Sequence, residues 1–166
     1  MTDTPAYGFD LSTKRIAVAA LDHDSQWVAS IPIAQDMVNR PLAAATALRQ
    51  AAMDTIDIGA AFVEYPAMGV GVRSTIEQAF VSGVVQSFLA EQWHTVEMVN
   101  VSTWKKVVVG NGHATKQQIA SYVEQHLPEW AQLIHEAEPR SKERRQDLFD
   151  AVCILRYGIT ERLGYQ

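Results

Sequence analysis

Apolar positions follow two periods along this chain. Residues 7–10, 15–21 and 27–33 are short apolar runs rich in Ile, Val, Ala and aromatics, the first two separated by the turn residues 11–14. They predict three strands in an antiparallel meander. Residues 41–55 are rich in Ala and Leu and open on Pro41, which suits the first turn of a helix. After Gly59 the run 60–64 predicts a buried strand ending on an acid. Ser74, with Glu77 three residues on, has the spacing of a capping box for a helix over 74–92. A strand at 96–99, a short helix or extended turn at 102–109, and the break Gly110-Asn111-Gly112 follow. Thr115 predicts the cap of a helix reaching His126, residues 128–145 read as a connecting segment with room for a turn of helix of its own, and 145–162 as a final helix. Strands first, then strands alternating with helices, predict an α/β fold with a mixed five-stranded sheet covered by helices.

At 166 residues the chain is expected to form one domain, residues 1–166, with a single substantial core. No apolar run approaches the roughly 20 residues that span a bilayer, and the N-terminus lacks a signal-peptide pattern, so a cytoplasmic protein is expected. The one cysteine, Cys153, sits in an apolar stretch and suits a buried thiol. A formal charge of −5 does not suggest a nucleic-acid binder. Setting four particular acids aside, however, leaves 15 acids against 14 bases.

Those four are Asp10, Glu64, Asp147 and Asp150. Asp10 and Glu64 end apolar strands, where ligand sites gather in sheets with crossover helices. Asp147 and Asp150 are spaced i, i+3, on one face of a helix whose first turn they are expected to occupy. Four carboxylates brought together repel unless a cation neutralises them, and hard oxygen donors suit Mg2+ or Mn2+ rather than zinc. A pair of such ions about 3.5–4 Å apart supports in-line attack on a phosphodiester. Lys14, Arg73, Lys105, Lys106 and Lys116, at loops and helix starts, are candidate phosphate contacts. Trp104 and His113 have bland readings as core and exposed loop residues, beside a base-stacking and a proton-transfer reading.

In this order the motifs resemble the RuvC family of Holliday-junction resolvases, of the RNase H-like superfamily, over nearly the whole chain. Gly8-Phe9-Asp10-Leu11-Ser12 is similar to the family's first acidic strand, Phe62-Val63-Glu64 to its second, and the stretch 76–90 with Gly83 to the helix that follows. Lys105-Lys106-Val107-Val108-Val109-Gly110-Asn111-Gly112-His113-Ala114-Thr115-Lys116 resembles the family's lysine, valine pair, Gly-x-Gly and second lysine. Asp147-Leu148-Phe149-Asp150-Ala151 resembles its closing Asp-x-x-Asp-Ala helix. The resemblance implies an RNase H-like fold and a homodimer that binds branched DNA and nicks four-way junctions with Mg2+ or Mn2+. Asp10, Glu64, Asp147 and Asp150 would be the catalytic metal ligands, and Lys105 and Lys116 would lie on DNA phosphates. A bacteriophage member, acting in the host cytoplasm, fits so divergent a version, and the helix over 76–90 is the expected dimer helix.

One departure stands out. The family carries an aromatic shortly after the second acid, where this chain reads Tyr65-Pro66-Ala67-Met68-Gly69. Tyr65 comes too early and Met68 is only an apolar substitute, which leaves action on forks or flaps open. Two rivals remain at this stage. One is a DNA-binding module with a relic site. The other is an actin-like kinase fragment, because Gly8 to Lys14 also resembles the first phosphate motif of those kinases.

Overall fold

The computed structural model describes residues 4–23, 25–33, 40–52, 59–66, 71–91 and 95–164. Strands β1 (Ala6–Leu11), β2 (Arg15–Asp22) and β3 (Ser25–Pro32) form the expected meander, followed by helix α1 (Arg40–Ala52) and strand β4 (Ala60–Glu64). Helix α2 (Val72–Glu91), strand β5 (Thr95–Val99) and helix α3 (Val101–Trp104) come next. A π-helical turn, Lys105–Val109, then leads to α4 (Lys116–His126), α5 (Pro128–Ala137) and α6 (Lys142–Glu161). The sheet order is β3-β2-β1-β4-β5. β1 and β3 run antiparallel to β2, whereas β1 with β4 and β4 with β5 are parallel. This is the mixed five-stranded α/β sheet that the strand pattern predicts. Met68 and Trp93 lie outside the described residues, as do position 55 of the predicted first helix and position 92 of the predicted second.

Strand alternation divides the core unequally. Tyr7, Phe9, Leu11, Ile16 and Val18 face one way, against Leu48 of α1 and Val81, Val85 and Leu89 of α2. The other face is paved with Ala6, Ala17, Ala19 and Ala60, and on it lies α6 with its long buried run from Leu148 to Leu155. Small side chains beneath α6 let its backbone approach the sheet closely. A Cβ on Gly8 would collide with the Ala151 carbonyl oxygen and the Leu155 backbone nitrogen, and one on Gly158 would enter the Phe62 ring. β1 and α6 therefore touch backbone to backbone.

Three local expectations change. The stretch 128–145 holds more than the single turn of helix expected of a connector, because α5 fills Pro128–Ala137. Pro128 sits at the helix start, where its missing N–H costs nothing, and Ala131 and Ile134 bury a helical stripe. Next, α6 begins at Lys142, with Ser141 Oγ accepting from the Arg144 N–H at 3.2 Å. Asp147 and Asp150 are thus beyond its first turn, and the helix dipole is not what favours their charge. Finally, Ser74 forms no capping box: α2 starts at Val72, and the Thr75 N–H donates to the Gly71 carbonyl. Glu77 instead pairs with Arg73 at 3.2 Å, an i, i+4 arrangement that the same sequence spacing permits. Among the described residues no helix is long and apolar enough to cross a membrane.

Overpacking against backbone has no side chain to yield, so Gly8→Ala should destabilise the fold by about 3 kcal/mol, the upper end for such changes. A drop of about 6–12 °C in thermal midpoint checks it; an unchanged midpoint would contradict the close β1–α6 contact.

Candidate functional site

Parallel pairing aligns Gly8 with Phe62 and Phe9 with Val63, so the next step of the same register sets Asp10 beside Glu64. Both follow the alternation of Ala6, Ala60 and Phe62 and face α6. Because α6 rides close over β1, its i, i+3 acids descend onto these strand ends. The consequence is visible in Asp10. Its carboxyl is held well above the ordinary carboxylate range, first by burial and then by the charges of Glu64, Asp150 and Asp147. The structure thus brings together all four acids singled out in the sequence.

Three of the four have a partner. The buried Trp104 indole N–H donates to Glu64 Oε2 at 2.8 Å. Gln146 Nε2 donates to Asp150 Oδ1 at 3.1 Å. Arg15 Nη1 lies 3.0 Å from Asp147 Oδ2 and 3.7 Å from Glu143 Oε1. These bonds favour the charged carboxylates, yet burial still prevails: Glu64 and Asp147 are raised, and Asp150 is raised to about 7 by burial and by Glu64. The four acids are near enough to repel one another, but among the described residues no three His, Cys, Asp or Glu side chains stand close enough together to hold a metal ion. The chemistry of the set nevertheless fits a hard divalent cation. It consists of four carboxylates whose mutual repulsion and desolvation are only partly relieved by protein donors.

The lysines differ among themselves. Lys116 opposes the rise at Asp10, Asp147 and Asp150, and Lys105 opposes it at Glu64 and Asp150. Lys116 occupies the first position of α4, behind a full capping box of Thr115 and Gln118. A cation is disfavoured there by the helix dipole, and the acids supply its counter-charge. Lys105 starts the π-helical turn, its ammonium 5.5 Å from the centre of the Trp104 ring. Gly110, at φ 82°, ends that turn. Gly112 passes so near α3 that a Cβ would lie 3.0 Å from the Ser102 carbonyl oxygen. The Gly-x-Gly element therefore folds the two lysine-bearing segments toward one site. Lys14, Lys106 and Arg73 are exposed, and Arg73 pairs with Glu77 on its own helix. His113 is exposed, whereas Trp104 is wholly buried and unavailable for base stacking.

Sequence reading passed over Arg15, Gln146 and the role of Trp104. Gln146 had a usable signal, since it stands four residues before Asp150. Arg15 is placed by a turn in which Ser12 Oγ accepts its N–H at 3.1 Å, and its meeting with Asp147 is purely tertiary.

The raised Asp150 carboxyl links protonation to stability. Between its ordinary value of 3.8 and about 7 the folded chain keeps a proton that the unfolded chain has released. That contribution is complete below the ordinary value and lost as pH rises through the folded one. In EDTA the thermal midpoint should fall between pH 5 and pH 8. Asp150→Asn should flatten this fall and raise the midpoint at pH 8 by several degrees; a midpoint that instead rises with pH would contradict the buried charge cluster.

The family model for crossover junction endodeoxyribonuclease RuvC matches residues 18–153. That span includes Glu64, Asp147 and Asp150 and begins after Asp10. A structure of Thermus thermophilus RuvC in complex with a Holliday junction substrate is similar, with TM-score 0.69 and 15% identity over 97% of this chain and 96% of that one. A second Thermus thermophilus RuvC structure gives TM-score 0.67 and 16% identity over 96% of each chain. At such identities these likenesses concern the fold. No curated protein sequence matches this chain significantly. With the family model covering most of its length and the same sheet and helices in place, the chain belongs to the RuvC crossover junction endodeoxyribonuclease family.

Proposed function

We propose that this protein is a divalent-metal-dependent endonuclease that resolves four-way DNA junctions by paired nicks. The observation that carries this reading is the meeting of Asp10, Glu64, Asp147 and Asp150 at the strand ends of a RuvC-family chain. These four residues are the ligands for Mg2+ or Mn2+. When bound, two such ions supply an activated water and stabilise the leaving 3′ oxygen of the scissile phosphodiester. The protein's own part is placement. Asp10 sits between the other acids on a central strand, and Trp104, Gln146 and Arg15 fix the carboxylates around it. Lys105 and Lys116 hold the phosphates flanking the cut, and Lys14, Lys106 and Arg73 serve the DNA arms from farther out. Water attacks phosphorus, the bond to the 3′ oxygen breaks, and the products are a 5′ phosphate and a 3′ hydroxyl.

Paired nicking of a two-fold substrate calls for a homodimer. On α2, Val72, Ile76 and Phe80 are 79%, 49% and 60% exposed and recur every four residues. They form an apolar stripe opposite the face that buries Val81, Val85 and Leu89. This stripe is the dimer surface. Forks and flaps are further substrates of the same site, and the setting is cytoplasmic. A relic DNA-binding module would have no use for four acids kept together against their repulsion. A kinase fragment is disfavoured because the RuvC family model matches residues 18–153.

Asp147→Asn should abolish Mg2+-dependent nicking of a synthetic four-way junction by about a thousandfold, several kcal/mol of lost charge stabilisation, while leaving junction binding intact. Lys116→Ala should weaken binding and lower its salt slope by about 1. If wild-type protein binds junctions and never cuts them with either ion, the enzyme reading fails. Phe80→Glu should turn the dimer into a monomer in sedimentation, and a dimer persisting unchanged would place the interface elsewhere.

A further inference from the structure

Three side chains hold acids of the site, and one of them differs in kind. The Trp104 indole and the Gln146 amide are neutral donors, to Glu64 and Asp150. Among the described residues, Arg15 is the one cation hydrogen-bonded to any of the four acids. Its Nη1 stands 3.0 Å from Asp147 Oδ2, and the two side chains are only 14% and 16% exposed, so water screens the pair little. Glu143, the second acid near the same nitrogen, is exposed and 3.7 Å away. Asp147 therefore already has a counter-ion, one that belongs to the chain.

The β1–β2 turn sets that arginine at the mouth of the site. Ser12 holds the start of β2, its Oγ accepting the Arg15 N–H at 3.1 Å and its own N–H donating to the Arg15 carbonyl at 3.0 Å. Arg15 keeps the alternation of Ala17 and Ala19 and so faces α6, and Ala17 is the register partner of Asp10. The guanidinium thus starts one strand over from Asp10, beside the carboxyl end of β1. A guanidinium carries five N–H donors in a flat fork that suits a phosphate. Among the described residues, neither Nε nor Nη2 of Arg15 has a hydrogen-bond acceptor.

We propose that Arg15 is a displaceable counter-ion: Asp147 exchanges it for the divalent cation when the site loads, and the released guanidinium takes a phosphate of the bound DNA strand. The proposal rests on the reading of the protein as a metal-dependent nuclease of branched DNA and adds a residue to it. In the free protein Arg15 competes with the ion for Asp147, consistent with acids that do not stand close enough, three at a time, to hold a metal. A cation on Asp147 frees Arg15 for phosphate, and a phosphate on Arg15 frees Asp147 for the cation. Each ligand therefore strengthens binding of the other by the same factor.

Mn2+ binding to the DNA-free protein, titrated by electron paramagnetic resonance, tests the first half of the exchange. Arg15→Gln should bind Mn2+ about tenfold more tightly than wild type, because the competitor is gone. Removing a residue that merely braces the fold would loosen the site, so an unchanged or weaker affinity overturns the proposal. Lys116→Gln removes a charge that acts on Asp10, Asp147 and Asp150, and it should tighten binding less. An equal gain would make the effect one of charge alone and overturn the proposal too. Arg15→Gln should melt below wild type in EDTA, and the gap should close as Mn2+ saturates; a gap that persists contradicts the exchange. Junction binding at varied salt reads the second half. In Ca2+ the salt slope of Arg15→Gln should be smaller than that of wild type by about 1, and in EDTA the two slopes should agree. Equal slopes in Ca2+ as well would overturn the proposal. Arg15→Met, which keeps the packing of the stem, replaces Arg15→Gln in every arm if that variant does not fold. Failure of wild-type protein to bind Mn2+ or any junction would instead overturn the functional reading on which the proposal rests.

Discussion

Everything at the site depends on how closely α6 lies on β1. That approach exists because the residues beneath the helix are glycine and alanine, so main chain meets main chain without intervening side chains. A larger residue at position 8 would lift the helix and with it two of the four acids. The opposite face of the sheet has no such demand, and it fills with Tyr7, Phe9, Leu11, Ile16 and Val18 in the ordinary way. One face is built for volume and the other for proximity.

Proximity sets four carboxylates against one another in a partly dry place, which works against folding. The surrounding side chains reduce this cost without removing it. An indole N–H, an amide and a guanidinium each hold one acid, and two lysines approach from separate helical segments. Trp104 links the two kinds of support, since its N–H holds Glu64 while its ring lies beneath the ammonium of Lys105. On the proposed function, the residual negative charge is what would draw a divalent cation to the set. A site fully neutralised by its own protein would have none.

Much of this was legible in the sequence, for physical reasons that can be named. Strand period, turn residues and the acids at strand ends gave the sheet and placed Asp10 and Glu64, because a half-buried strand must alternate. The i, i+3 spacing gave Asp147 and Asp150 a common face wherever their helix began, so a start three residues earlier than expected did no harm. The errors lay where a local signal has two structural meanings. Pro128 can end a helix or begin one, and Ser74 with Glu77 fits a cap or a helix interior. Partners such as Arg15 and Trp104 stayed hidden because they come from distant positions, and only the tertiary fold decides which donor meets which acid.

The order of the acids along the chain has a consequence for synthesis. Asp10 and Glu64 emerge early on strands that pair in parallel, while Asp147 and Asp150 belong to α6, the last helix of the fold. A nascent chain still short of α6 carries half of the carboxylates and leaves bare the alanine-paved face on which that helix rests. No partial product can assemble the complete quartet. On the proposed function, the cutting site is therefore incomplete until α6 has been made, a safeguard written in chain order.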